Sequence, residues 1–168
     1  DQLAARKAFR SVGPSQNRTP AAPPPSGPEY LLVDGYNVIF AWDELKKIAA
    51  ENLDAARRRL MDILCNYAGY RKCVPILVFD AYRVKGAGRE QETWHNLHVI
   101  YTREAETADM FIERTTHELA KNHRVRVVSS DGAEQIIILG NGALRVSARA
   151  FEREVRAVEA EIREFLDQ

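Results

Sequence analysis

An apolar segment that runs into an aspartate and a glycine places the strongest constraint on how this chain folds. Residues 30–40 read YLLVDGYNVIF, so a short hydrophobic stretch leads directly to Asp34, Gly35 and Asn37. Such a stretch is typical of a strand buried in a parallel sheet. Open α/β sheets bind ligands at the carboxyl ends of these strands, where Asp34 would lie with Asn37 as a second oxygen donor. The alternative is that both side chains only cap the turn and the next helix.

The same pattern recurs along the chain, which favours a shared site over isolated caps. Residues 74–80 (VPILVFD) end in Asp80, and residues 124–129 lead through two serines to Asp131. A third predicted strand, residues 97–101, precedes a helix expected to carry Glu106 and Asp109 on one face of its first turn. Right-handed crossovers between parallel strands would bring these acids to one edge of the sheet.

The remaining elements complete an α/β pattern. Helices are predicted at 42–50 and 53–67, a long polar loop at 81–95, a helix including 135–139, a short edge strand at 143–146 and a last helix capped by Ser147. The arginines at 57–59 are expected on a solvated helix face. The fold class is therefore α/β, with a central, mostly parallel sheet flanked by helices.

Composition divides the 168 residues into a leader and one domain. Residues 1–28 hold six of the seven prolines and a net charge of +3, and we interpret them as a flexible Pro-rich linker that can follow an upstream region. Residues 29–168 form the predicted domain and carry the balancing −3. An acidic domain argues against tight non-specific binding to nucleic acid.

Other sequence features exclude several classes of protein. Cys65 and Cys73 form neither a CxxC pair nor a disulfide framework, which favours reduced thiols in a cytoplasmic protein. No apolar run is long enough for a membrane helix, so no membrane partner is expected. No dinucleotide or Walker motif occurs, so no nucleotide cofactor is expected either.

The acidic residues predict a metal site. Several carboxylates cannot gather in an ionised form without a compensating cation. Oxygen ligands without His or Cys select Mg²⁺ or Mn²⁺, and such ions support phosphodiester chemistry. The residues alone therefore indicate a metal-dependent phosphotransfer or nuclease site.

Five ordered motifs give the chain a family resemblance. VDGYNVI, VFDAYRVKG, YTREAETADMFIE, VVSSDGAEQ and GALRVSARAF resemble the YacP-like branch of the NYN domains, over essentially residues 29–168. The resemblance implies a PIN-like three-layer sandwich and an Mg²⁺- or Mn²⁺-dependent endoribonuclease. It also implies RNA as partner, namely mRNA on the translating ribosome.

The resemblance further implies roles for individual residues. The acidic catalytic site would consist of Asp34, Asn37, Asp80, Glu106, Asp109 and Asp131, with Asp34, Asp80, Asp109 and Asp131 as metal ligands. Substrate contacts would come from Tyr36, Arg83, Lys85, Arg89, Ser130 and Gln135.

Two alternatives and one weaker expectation accompany this interpretation. A haloacid-dehalogenase-like phosphatase also starts with a strand ending in Asp, but it needs a second aspartate where this chain has Tyr36. A non-catalytic RNA- or ribosome-binding adaptor is the other alternative. Tyr36, Trp42 and Trp94 are expected near the mouth of the site, where they could stack on bases, and Phe40 is expected in the core.

Overall fold

The computed structural model describes residues 27–81, 91–129, 137–138, 140 and 142–168. These residues form seven strands and five helices. The strands are β1 (Tyr30–Asp34), β2 (Val74–Phe79), β3 (Gln91–Trp94), β4 (Leu97–Tyr101), β5 (Val125–Ser129), β6 (Ile137–Ile138) and β7 (Leu144–Ser147). The helices are α1 (Gly35–Ala41), α2 (Asp43–Glu51), α3 (Leu53–Arg71), α4 (Ala108–Leu119) and α5 (Ala148–Leu166).

All seven strands belong to one sheet with the order β3-β4-β2-β1-β5-β7-β6. The five inner strands run parallel, and β3 and β6 pair antiparallel with their neighbours at the two edges. The prediction of a central, mostly parallel sheet is confirmed. β1 lies in the middle of the sheet, and Asp34, its last residue, is in register with Val78 of β2.

Helices cover both faces of the sheet, which gives three layers. Alternate residues of β1 point to opposite faces, so Leu31 and Val33 pack under α1, α2, α3 and α5, while Leu32 packs under α4. Because both faces of the central strands are covered, these strands are apolar throughout rather than alternating. This explains why the sequence pattern at 31–33 was informative.

Three predicted elements differ from the structure. The loop expected at 81–95 contains β3, and Ile137 and Ile138 form a strand rather than part of a helix. β7 is not an edge strand, because β5 and β6 pair with its two sides. Short strands of two to four residues carry too little periodicity to be distinguished from loops by sequence pattern.

The segment after β1 also differs, because the chain passes from strand to helix without an intervening turn. Gly35 is the first residue of α1, and Asp34 is the residue that caps this helix. A Cβ atom at Gly35 would overlap the ring of Phe79 in β2. Glycine is therefore required here for close approach between α1 and the neighbouring strand.

Candidate active site

Asp34 is fixed at the junction between β1 and α1. Its Oδ2 accepts a hydrogen bond from Asn37 Nδ2 at 2.7 Å, and its Oδ1 accepts one from the Asn37 backbone N–H at 3.4 Å. Asp34 is only 5% exposed although it lies at the end of a strand. Asn37, predicted beside Asp34, is thus the residue that orients it.

Asp80 leaves the neighbouring strand β2 and reaches the start of α4. Its Oδ1 accepts a hydrogen bond from the backbone N–H of Ala108, the first residue of that helix, at 2.7 Å. A carboxylate at a helix N-terminus satisfies an otherwise unpaired N–H and is stabilised by the helix dipole. This contact joins the strand-end acid to the helix that carries Asp109.

The three aspartates Asp34, Asp80 and Asp109 interact electrostatically. Burial raises the pKa of Asp34 most strongly and the Asn37 N–H opposes it, while the charges of Asp109 and Asp80 and a hydrogen bond with Asp109 raise it further, to about 7. A carboxyl group whose pKa is raised to near 7 is stabilised in its ionised form only when a positive charge lies close to it. Asp34 is therefore within electrostatic reach of both Asp109 and Asp80.

Glu106 is placed differently from the prediction. Helix α4 begins at Ala108 and is capped by Thr107, so Glu106 precedes the helix instead of sharing its first turn with Asp109. Its Oε1 forms an ion pair with Arg114 at 2.8 Å. An acid is favourable in the first turn of a helix, which suits the predicted position of Glu106, but the threonine cap at position 107 was the stronger signal.

The aromatic side chains predicted near the site differ from the prediction in how exposed they are. Tyr36 and Trp42 are buried in the core, where Tyr36 packs on Phe79 with ring centroids 5.0 Å apart, so neither ring is available to stack on a base. Trp94 is half-buried on β3. Phe40, expected in the core, is 42% exposed on α1.

Sequence reasoning also missed the role of Arg57. This arginine is buried rather than solvated, and it donates hydrogen bonds to the hydroxyl oxygen of Tyr36 at 3.2 Å and to Asp54 at 3.1 Å. Arg57 therefore holds the side chain of Tyr36 in α1. The three consecutive arginines look alike in sequence, and only the packing of α3 distinguishes the inward one.

Six predicted site residues lie outside the described part of the chain. They are Arg83, Lys85, Arg89, Ser130, Asp131 and Gln135. Their predicted roles stay predictions.

The oxygen atoms of the described residues are of the type that binds Mg²⁺ or Mn²⁺, but they are too few for a complete ligand set. Asp34, Asp80 and Asp109 offer carboxylate oxygens, and Asn37 offers an amide oxygen, which are the ligands that hard divalent cations take. Within the described ranges, no three His, Cys, Asp or Glu side chains lie close enough together to hold a metal ion. A complete ligand set would need a further donor or a rearrangement of these side chains.

The three layers and the mostly parallel sheet define the class of protein, an α/β protein with carboxylates at the carboxyl edge of its sheet. The model of the YacP-like NYN domain matches residues 31–168, and the chain belongs to this family, which has the PIN-like nuclease fold. Membership supports a nuclease or RNA-related role.

Comparison with individual proteins agrees with this assignment. The chain is 44% identical over 135 residues to the uncharacterized protein YacP of Bacillus subtilis (strain 168), which covers 80% of this chain and 79% of that protein. It is also similar to the crystal structure of Rae1 (YacP) from Bacillus subtilis, with a TM-score of 0.69, 42% identity and coverage of 82% of this chain and 79% of that one. A mutant form of the same protein matches with a TM-score of 0.67, 40% identity and coverage of 81% and 80%.

Among the described helices, none combines the length and the apolar character that crossing a membrane requires.

Proposed function

We propose that this protein is an Mg²⁺- or Mn²⁺-dependent endoribonuclease that hydrolyses phosphodiester bonds of mRNA on the translating ribosome. The observation that carries the proposal is the buried carboxyl group of Asp34, whose pKa is raised to about 7 by burial and by the charges of Asp109 and Asp80. Placing acids where they repel one another destabilises a domain unless a cation binds between them. Membership in the NYN family supports the choice of RNA chemistry.

The roles of the residues follow from their positions. Asp34, Asp80 and Asp109 would hold the cation, and Asp131, two residues beyond the end of β5 in sequence, is the proposed further ligand. The cation would supply an activated water and charge stabilisation for the leaving oxygen. Asn37 keeps the Asp34 carboxylate in one orientation, and Glu106 is held by an ion pair with Arg114.

The nature of the substrate is the second part of the proposal. The body of the protein carries a net charge of −3, which disfavours indiscriminate binding to RNA phosphates. Local basic contacts from Arg83, Lys85 and Arg89 would then engage RNA close to the site. Delivery of the mRNA by the ribosome fits a protein with little general affinity for RNA.

The test compares cleavage of one mRNA, free and on translating ribosomes, in Mg²⁺, in Mn²⁺ and in chelator. Cleavage is expected with either metal and not with chelator. Asp34→Asn is expected to lower the rate by at least about 100-fold, since changing even a residue that only orients a metal ligand typically costs about 10- to 100-fold. Asp62→Asn is the matched control, because Asp62 is an exposed aspartate on α3.

Two outcomes contradict parts of the proposal. Cleavage that persists in chelator contradicts metal dependence. Binding to ribosomes without cleavage of either substrate contradicts the nuclease and supports an adaptor. The contrast between free and ribosome-bound mRNA decides which of the two is the substrate.

A further inference from the structure

A basic side chain lies two strands away from Asp34, on the same face of the sheet. Arg145 of β7 is in register with Val127 of β5, and Val127 is in register with Leu32 of β1. Leu32 and Val127 pack under α4, so Arg145 points to this face as well. Asp34, two residues after Leu32, points there too. Arg145 and Asp34 therefore share the face of the sheet that α4 covers.

Ser129 lies between Arg145 and Asp34. It is the last residue of β5, and the pairing of Val33 with Val128 places it beside Asp34, the last residue of β1. Arg145 extends towards the same edge of the sheet, because its Nε donates a hydrogen bond to Ser129 Oγ at 2.9 Å. Neighbouring strands are about 4.8 Å apart, so Ser129 is about one strand spacing from Asp34.

The contact with Arg145 determines what the Ser129 hydroxyl can do. A serine hydroxyl has one O–H donor and two acceptor positions. The Arg145 Nε–H occupies one acceptor position, which leaves the O–H to donate in another direction. A guanidinium polarises the hydroxyl that it bonds, and this strengthens the O–H as a donor to an anionic oxygen. The Ser129 hydroxyl is therefore suited to an anion bound beside Asp34.

Two similar side chains nearby have structural tasks instead. Ser147 of β7 is in register with Ser129, but its Oγ caps helix α5. Arg126 of β5 forms an ion pair with Glu154 of α5, which covers the opposite face of the sheet. Arg145, in contrast, donates to a hydroxyl at the carboxyl edge of the sheet, next to the aspartate site. Its position thus indicates a role at that site.

We propose that Arg145 is a positioning residue that directs the O–H of Ser129 at an oxygen of the phosphate bound beside Asp34. Ser129 contacts the substrate, and Arg145 acts through it. This inference rests on the proposed function, because it takes a phosphodiester as the ligand of the aspartates. It adds a hydrogen-bond donor from β5, on the side of β1 opposite to β2, the strand that leads to Asp80.

The first test measures binding of a labelled, unstructured RNA in chelator, in an Asp34→Asn background that removes one repelling charge. Ser129→Ala is expected to raise Kd about 5-fold, because it removes one hydrogen bond. Arg145→Met keeps an unbranched side chain without the donor, and it should raise Kd about 3- to 5-fold. The double variant should also raise Kd only about 5-fold, because Arg145 acts through Ser129, whereas independent effects would multiply.

The salt dependence and conservative substitutions separate positioning from other roles. The slope of log Kd against log salt should not change in Arg145→Met, and a decrease of about 0.7 would mean that the guanidinium binds a phosphate itself. Ser129→Thr keeps the hydroxyl, and Arg145→Lys keeps a donor for a contact that needs only one N–H. Both should therefore bind within about twofold of the parent. A purely structural role would lower Tm and leave Kd unchanged.

The second test observes the contact without RNA. In isotope-labelled protein the Arg145 Nε–H is expected to exchange slowly with water, and Ser129→Ala should accelerate this exchange several-fold. Arg124→Met is the matched control, because Arg124 is exposed at the amino end of the sheet, where it donates to the Gly27 carbonyl oxygen at 2.6 Å. Its loss should change neither Kd nor the exchange rate of Arg145.

The proposal is overturned if Ser129→Ala binds as tightly as the parent, if the two effects multiply in the double variant, or if Arg145 exchange does not respond to Ser129→Ala. Ser129→Ala and the exchange measurement decide alone if Arg145→Met does not fold. Wild-type protein that cuts RNA while these variants bind like the parent contradicts only the role of Arg145. Coupled effects on binding without any cleavage by wild type support the positioning and contradict the nuclease.

Discussion

At the scale of single residues, the surroundings of Asp34 have two opposing effects on its ionisation. Its position as the cap of α1 favours a carboxylate, because the Asn37 N–H points at it. Burial and the charges of Asp109 and Asp80 disfavour the same ionised form, and their effect is the larger one. Ionised Asp34 therefore lowers the stability of the folded protein.

This cost predicts how the metal-free protein responds to pH. The pKa of Asp34 is raised from 3.8 to about 7 in the folded state, so the unfolded chain loses its proton first as pH rises. Stability in chelator should therefore fall between about pH 4 and pH 7, by up to about 4 kcal/mol. Thermal melts across this range should show the loss for wild type, and Asp34→Asn should largely remove it.

The same variant also tests the cation. Mg²⁺ or Mn²⁺ should raise the Tm of wild type near pH 8, and the increase should shrink below pH 7, because a proton on Asp34 competes with the metal. Asp34→Asn should show little increase at any pH. A metal-induced increase in this variant equal to that of wild type would argue against Asp34 as a ligand.

At the scale of elements, the start of α4 decides how accurately the aspartates meet. Thr107 caps the helix by accepting a hydrogen bond from the Met110 N–H, while Asp80 arrives from β2 to accept one from Ala108. The helix that carries Asp109 is thereby held to the strand that ends before Asp80. Strand and helix are joined by a contact between residues 28 positions apart.

Two substitutions of Asp80 should separate its structural role from its role in metal binding. Asp80→Asn keeps an acceptor for the Ala108 N–H, so the stability in chelator should change by less than about 0.5 kcal/mol. Asp80→Ala leaves that N–H without its acceptor and should cost about 1–2 kcal/mol, with faster hydrogen exchange in the first turn of α4. Both variants should reduce the metal-induced rise in Tm, and a full rise in either would contradict Asp80 as a ligand.

The sequence predicted the long, buried elements well and the short ones poorly. The pattern at 31–33 and 76–79 is apolar because both faces of these strands are covered, so strand and sheet edge could be inferred together. The prediction that Asp34, Asp80 and Asp109 converge followed from that edge. Helix α1 was missed because its seven residues directly after a strand offer little helical periodicity.

Features that depend on long-range packing could not be inferred from local patterns. Trp42 looked accessible but is enclosed by the core, and its Nε1 donates to the carbonyl oxygen of Ala148, 106 residues away, at 2.8 Å. Phe40 is exposed although Val38 and Ile39 in α1 are buried, because its position on this short helix faces outward. Burial of single aromatic residues is set by tertiary contacts that periodicity does not encode.

At the scale of the whole molecule, an ion-pair network ties the sheet to its helices away from the aspartates. Arg126 of β5 bonds to Glu154 of α5 at 2.6 Å and to Glu29, just before β1, at 3.1 Å, and Tyr67 of α3 donates to Glu154 at 2.8 Å. Burial raises the pKa of Glu154, but the hydrogen bonds from Arg126 and Tyr67 outweigh it and leave that pKa lowered. The network therefore stabilises the fold above about pH 4.5 and weakens in acid.

Removing the shared carboxylate should destabilise the whole domain. Glu154→Gln is expected to cost about 1–3 kcal/mol and to lower Tm by about 3–9 °C, because Arg126 loses its ionic partner in a half-buried setting. Glu161→Gln removes the negative charge from the corresponding contact with Tyr70, which is exposed, and should change Tm by less than about 1 °C. Equal effects of the two substitutions on Tm would show that burial of the contact does not determine how much it stabilises the domain.

The strand order has a consequence for the time at which the aspartate site is completed during synthesis. Strand β1 is made early, but one of its two neighbours in the sheet is β5, which ends about 95 residues later at Ser129. A nascent chain that stops before this point leaves one side of β1 without a partner, and the strand that ends in Asp34 is then poorly held. The framework around Asp34 is therefore complete only after β5 has been made, about 95 residues after Asp34 itself.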